Sequence, residues 1–246
     1  GLVSVPAMEL MAVAHEYEHA KRFDDAERLL KHVLRAYPAH AGALHLMGVV
    51  VYRQGDKKRA LGFMEEAIQH GIDTPLYYRN IGEVYRVLGR HAEAAAAARK
   101  SVELNPGDPV ALMNCAIILA DQLRIDEAIG LFEQALAINP NMPAAHFGLA
   151  EALLSKGEFK RGWEEYEWRF RLPDVPPLMP KTDSPQWDGK PMDGTLVLIA
   201  DQGFGDAIQF GRYIPWAAAR TKDLVIACSM ALKPLLAQLH PGLRLT

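Results

Sequence analysis

Two cysteines in 246 residues cannot build a disulfide framework, Lys and Arg form no block, and no apolar run approaches the length of a membrane-spanning helix, about eighteen residues. Each shortage removes a class of protein. Without a cystine network the fold must be held by packing, and Cys115 and Cys228 read as reduced thiols of a cytoplasmic protein. A net charge of −3 with no basic patch withholds the electrostatic attraction that carries phosphate-backbone binding, so nucleic acid is not an expected partner. Leu2 to Ala14 has no basic segment ahead of its apolar residues, so neither an export leader nor a membrane span is expected.

What the chain has in quantity is apolar residues, half of the total, and they recur with a fixed period. A 34-residue pattern starts at Ala7, Ala41, Pro75, Pro109 and Pro143. At the eighth position of the copies stand Ala14, Gly48, Gly82, Ala116 and Ala150, and at the twentieth Ala26, Ala60, Ala94, Ala128 and Gly162. Small residues at both places allow two helices to approach closely. Copies one, three and four end at Pro38, Pro106 and Pro140, whereas copy two has Ile72 there and meets its proline three residues later. This pattern resembles the tetratricopeptide repeat, a helix-turn-helix unit of the same length. The resemblance implies two amphipathic helices per copy, stacked into a right-handed solenoid with one concave face, because a single unit cannot bury its own apolar side.

After Leu172 the composition changes. Pro173, Pro176, Pro177, Pro180 and Pro185 crowd together and forbid a helix. Beyond them Thr195 to Ala200 reads as a buried strand, Asp206 to Arg220 as a helix, Leu224 to Ser229 as a strand and Ala231 to Leu239 as a helix, with a third strand starting near Leu243. That order opens a parallel α/β domain. The predicted fold is therefore mainly α: a five-repeat solenoid over 7–172, a Pro-rich linker over 173–194, and a small, incomplete, Rossmann-like α/β segment over 195–246 that is expected to be the front part of a longer domain.

The resemblance to tetratricopeptide repeats also implies which positions line the groove. Met8, Met11, Val49, Tyr52, Leu76, Met113, Ile117, Phe147 and Leu154 would offer apolar contact, or pack on adjacent helices; Arg53, Arg79, Glu83, Arg86, Asp121 and Glu151 would offer charge. Asn80 and Asn114 fall at one position of consecutive copies, so their amides are expected one above the other, able to bind a peptide backbone. Similar Asn ladders occur in the superhelix of protein O-GlcNAc transferases, but Ala12, Leu46 and Gly148 interrupt the ladder here. The carboxylate clamp of chaperone-binding repeats is not met, because His45 and Val49 replace Lys and Asn.

His15-Glu16-Tyr17-Glu18-His19 matches H-E-x-x-H, in which two imidazoles on one helix face can hold zinc beside a general-base Glu. Tyr17, however, is a packing position of the first copy, and no further His or Glu motif supplies a third ligand. The histidines are read as solvated groove residues, and no metal is assigned.

The loop Asp201-Gln202-Gly203-Phe204-Gly205-Asp206 joins a buried strand to a helix, where α/β proteins place ligands. It fails as a Rossmann fingerprint, lacking Gly at Ile208, and as a P-loop. The glycines could simply make a tight turn, with Asp206 capping the helix. The tract Gly162-Trp163-Glu164-Glu165-Tyr166-Glu167-Trp168-Arg169, with Gln186-Trp187-Asp188-Gly189, Gln202-Gly203-Phe204-Gly205-Asp206 and Arg212-Tyr213-Ile214-Pro215, resembles bacterial proteins that join tetratricopeptide repeats to a glycosyltransferase domain of the heptosyltransferase-like GT-B type. That resemblance implies Asp206 as the catalytic base, Gln202, Gly203 and Gly205 as the ligand loop, and a nucleotide-sugar donor held by a C-terminal half, so that this chain alone would not catalyse transfer. It implies an acceptor protein in the groove, flagellin by analogy. The alternative is a non-catalytic scaffold whose α/β segment is a degenerate cap. Trp163, Tyr166 and Trp168 are expected to bury the last face of the solenoid.

Overall fold

The computed structural model describes residues 6–172, 184–200 and 203–246. It divides into two compact units, Gly1–Asp174 and Val175–Thr246, and each is described by itself.

The first unit is a run of helix pairs: α1 Ala7–His19 with α2 Phe23–Ala36, α3 Ala41–Arg53 with α4 Lys57–His70, α5 Pro75–Val87 with α6 His91–Leu104, α7 Pro109–Asp121 with α8 Ile125–Ile138, and α9 Pro143–Lys156 with α10 Phe159–Tyr166. The first helix of every pair begins where a copy of the 34-residue pattern begins. Proline in the first turn of α5, α7 and α9 has no N–H to leave unsatisfied. His40, Asp56 and Asp108 accept backbone N–H groups at the starts of α3, α4 and α7. The turn inside each pair holds one left-handed residue at the same place in all five copies: Lys21, Gly55, Gly89, Leu123 and Gly157, with φ of 59°, 97°, 73°, 60° and 87°.

Each helix packs on its partner, and α1, α3, α5, α7 and α9 also touch in succession, so the first helices form one continuous row. The small residues sit where the helices cross. Ala14, Ala116 and Ala150, and Ala26, Ala60, Ala94 and Ala128, are fully buried. A Cβ added to Gly48 would lie 2.6 Å from Met64 Cγ. The inner face of α6 is almost all alanine, Ala94, Ala95, Ala97 and Ala98, with Ser101 donating to the Pro75 carbonyl at 2.9 Å.

The fifth pair departs from the others. Its second helix stops after eight residues at Tyr166 and tightens into a 3-10 turn over Glu167–Arg171. A Cβ on Gly162 would meet Leu154 at 2.8 Å, so α10 lies unusually close to α9.

The second unit carries a three-stranded parallel sheet in the order β1 (Met192–Ile199), β2 (Thr221–Ala227), β3 (Arg244–Leu245). Leu196, Leu224 and Ile226 pack with Ile214, Ala217, Leu232 and Leu236 into one core. Val197 and Ile199, which alternate with Leu196 along β1, are exposed on the opposite face. The sheet is thus covered on one side. The helix expected over Asp206–Arg220 is two helices, α11 (Phe204–Gly211) and α12 (Ile214–Ala218). Pro215 has no N–H to give the Gly211 carbonyl, so the ladder breaks there. The helix expected over Ala231–Leu239 shrinks to α13 (Lys233–Leu236), begun by Pro234, and Cys228 lies just past the end of β2.

Candidate functional site

The row of first helices carries most of the groove residues. Tyr52 of α3 donates its hydroxyl to Glu83 Oε1 of α5 at 3.3 Å. Arg86, one turn after Glu83, holds both oxygens of that carboxylate at 2.7 and 2.9 Å and reaches Asp121 Oδ2 of α7 at 3.0 Å. The hydrogen bond that Arg86 donates to Glu83 is the largest cause raising the Arg86 pKa, and burial is the largest cause raising that of Tyr52. Glu151 of α9, at the accessible rim, has its pKa raised by the surrounding protein and then by the Asp121 charge. Arg53 is exposed and stands 3.8 Å from Glu18.

Two expected groove residues are turned to other partners. Arg79 donates to Asp108 at 3.0 Å, while the other oxygen of Asp108 caps α7, so this pair ties two repeats together. Asn80 meets His45 Nε2 at 3.1 Å, and His45 stacks on Tyr77 with ring centroids 4.3 Å apart. Burial, then the Arg79 charge, lowers the His45 pKa to about 4. His45 is therefore neutral at pH 7 and its Nε2 accepts from the Asn80 amide, an assignment made from the hydrogen-bond network. One N–H of Asn80 is therefore already engaged within the protein. Asn114 keeps a half-buried amide with no partner among the described residues. Met113 and Ile117 beside it are partly buried against a core shared by the third, fourth and fifth copies.

Aromatic side chains gather at the last copy. His146 lies flat on Trp168, centroids 3.8 Å apart and planes 5° from parallel, with Nδ1 against Glu165 and Nε2 3.0 Å from the Pro140 carbonyl. Arg171 covers the other contact of Trp168 at 4.2 Å, and Phe147 packs against Tyr166 at 5.4 Å. Trp163 remains 47% exposed, so this tract buries Tyr166 and Trp168 better than Trp163. Sequence reading missed His45 and His146. Both sit on first helices and meet an aromatic ring two elements further on, Tyr77 of α5 for His45 and Trp168 of the 3-10 turn for His146, a pairing that helical spacing does not reveal.

In the second unit, Leu198, Ile199 and Ala200 at the C-terminal end of β1, with Ala207 and Phe210 of α11 and Trp216 of α12, line a cavity of about 310 Å³ at whose edge Asp206 stands. Trp187 and Trp216 meet at 5.3 Å on its wall. Asp206 is exposed at the third position of α11 and does not cap it; Gly203 holds the capping position and no side chain accepts there. The backbone does not require either glycine. Gly203 has φ −59°, Gly205 is helical, and a Cβ added to either would meet nothing within 4 Å. Gln202 lies outside the described residues.

A row of helix pairs stacked one on the next, with side chains from successive pairs converging on its first helices, defines a helical-repeat scaffold. Residues 14–75, 75–108 and 119–162 each match a model of the tetratricopeptide repeat, so the chain carries tetratricopeptide repeats over more than half its length. No curated protein matches it. Among solved structures it is similar to YrrB, described as a TPR protein with an unusual peptide-binding site, at 20% identity and a TM-score of 0.56 over 69% of this chain and 88% of that one. It is also similar to MamA of Desulfovibrio magneticus RS-1, at 17% identity and a TM-score of 0.60 over 69% and 97%. A second MamA structure gives 21% identity and 0.57 over 69% and 98%. At these identities the likeness shows the fold.

Proposed function

We propose that the first unit is a protein-interaction scaffold that holds a peptide segment along its row of first helices. The observation that carries this reading is the half-buried amide of Asn114, without a partner among the described residues, on the same helix as the half-buried Met113 and Ile117. A peptide backbone can bond to the amide, an apolar side chain can rest on Met113 and Ile117, and a cationic side chain would offset the carboxylate of Glu151. The test is affinity for a panel of fluorescent peptides that vary in charge and apolar content. Asn114→Ala and Glu151→Gln should each weaken the bound members while leaving circular dichroism unchanged. Equal affinity of both variants and the parent would overturn the groove assignment.

The finer reading is that the scaffold presents an acceptor protein to a glycosyltransferase of the GT-B type, to which the second unit contributes. Three features support it: the resemblance of the Trp-rich and Gly-x-Gly-Asp tracts, the cavity at the carboxyl end of β1, and two glycines that leave open space beside Asp206. In this reading a nucleotide-sugar is the donor, Asp206 accepts the proton of the acceptor hydroxyl as that oxygen attacks the sugar carbon, the bond from that carbon to the phosphate oxygen breaks and the nucleotide leaves, and flagellin is one candidate acceptor. The reaction would be cytoplasmic, in keeping with two free cysteines, and no described helix is long and apolar enough to cross a membrane. Sugar transfer by the complete transferase should disappear in Asp206→Ala while acceptor binding persists. Retained transfer would remove Asp206 from the mechanism.

A further inference from the structure

His15, Glu18 and His19 are spaced i, i+3 and i+4, so the helical pitch turns all three to one face of α1. They occupy groove positions of the first copy, yet the peptide reading leaves them unused. The two Nε2 atoms are 3.3 Å apart, and one candidate ligand atom from each of the three residues lies within 4.8 Å of the others. It is the one such group of three among the described residues. An ion bound tetrahedrally to two imidazole nitrogens at about 2.0–2.1 Å holds those nitrogens roughly 3.3 Å apart. The rings already stand at chelating distance. Apart from each other, neither Nε2 has a partner among the described residues, and the rings are tilted by 59° with centroids 4.4 Å apart. Glu18 is largely covered, 3.8 Å from His19 Nδ1 and 3.8 Å from Arg53 Nε.

We propose that His15, His19 and Glu18 form a binding site for a divalent transition ion at the N-terminal end of the groove, of the kind that favours imidazole nitrogen: zinc, nickel or copper. The two imidazoles are the primary ligands and Glu18 adds a carboxylate; water completes the shell. This is not the hydrolytic centre that H-E-x-x-H suggests. Glu16, the base position of that motif, is exposed and outside the cluster. The ion acts as a clasp. It joins successive turns of α1, whose one buried residue is Ala14, and so favours the folded helix by mass action. Arg53 works against it, because its positive charge competes for Glu18.

Calorimetric titration of the full chain with zinc chloride in a non-coordinating buffer tests this. One site is expected. His15→Ala and His19→Ala should each weaken it by at least about tenfold and Glu18→Gln by less; Arg53→Gln should tighten it. Hydrogen exchange over residues 7–19 should slow when zinc is added to the parent protein and remain unchanged in the double histidine variant. His15, His19 and Arg53 are exposed and Glu18 is largely covered, and circular dichroism of each variant reports whether the fold is kept. Absence of zinc binding, or unchanged binding in the double histidine variant, would overturn the assignment by placing any zinc on other histidines.

Discussion

Arg86 of the third copy bonds to Asp121 of the fourth at 3.0 Å while gripping Glu83 in its own helix at 2.7 Å. Since Tyr52 of the second copy also reaches Glu83, four side chains from three copies form one connected chain. Arg86→Met should leave both carboxylates without their cation. Each partner is about a third exposed, so solvent screening limits the cost to about 1 kcal/mol by urea unfolding. Adding Asp121→Asn should recover part of that loss, and a variant as stable as the parent would show that the network contributes nothing.

The neutral state of His45 gives stability a defined pH dependence. Its pKa falls from an ordinary 6.5 to about 4 on folding, through burial and then Arg79. Below pH 6.5 the unfolded chain takes up a proton that the folded chain refuses until about pH 4, so stability present above 6.5 is lost on acidification across that window. The share belonging to His45 is up to about 3 kcal/mol. The urea midpoint should fall less between pH 6.5 and 4 in His45→Gln than in the parent, and parallel pH profiles would refute the assignment.

The left-handed turn residue of the fourth copy is Leu123, with φ 60° and a side chain 84% exposed. A non-glycine residue there costs about 1–2 kcal/mol, part of which glycine returns through the larger freedom of the unfolded chain. Leu123→Gly should raise stability by about 0.5–1 kcal/mol, read as a higher melting temperature.

Two glycines on first helices should respond in opposite directions to alanine. A Cβ at Gly148 would stand 2.5 Å from Cζ of the fully buried Phe132, whereas one at Gly82 would meet Ala94 O at an ordinary 3.6 Å. Gly148→Ala should destabilise by about 1–3 kcal/mol through overpacking. Gly82→Ala should stabilise by about 0.5–1 kcal/mol through helix propensity. Thermal melts of the two variants moving the same way would contradict the packing described.

The period made the helix pairs legible. Starts at 7, 41, 75, 109 and 143 and small residues at two fixed positions follow from a register that repeats, and all of these are visible without side-chain geometry. What spacing could not supply was which rotamer each groove residue adopts. Asn80 and Asn114 are equivalent by position, yet one bonds to His45 and the other has no partner among the described residues. The pairing depends on Tyr77 and His45 from different copies packing flat, a contact between copies. In the α/β segment the alternating pattern located the strands, while Pro215 and Pro234 cut the helices shorter than their apolar content suggested. The expectation that Asp206 caps its helix failed because the chain enters α11 three residues earlier, at Gly203.

The alanine face of α6 gives the array an uneven compliance. Methyl groups bring the helix axes close but present few atoms to grip, so sliding α6 against its neighbours breaks fewer dispersion contacts than the same movement of α8, which is anchored by Phe132. A load applied along the row would therefore be expected to shift α6 before α8.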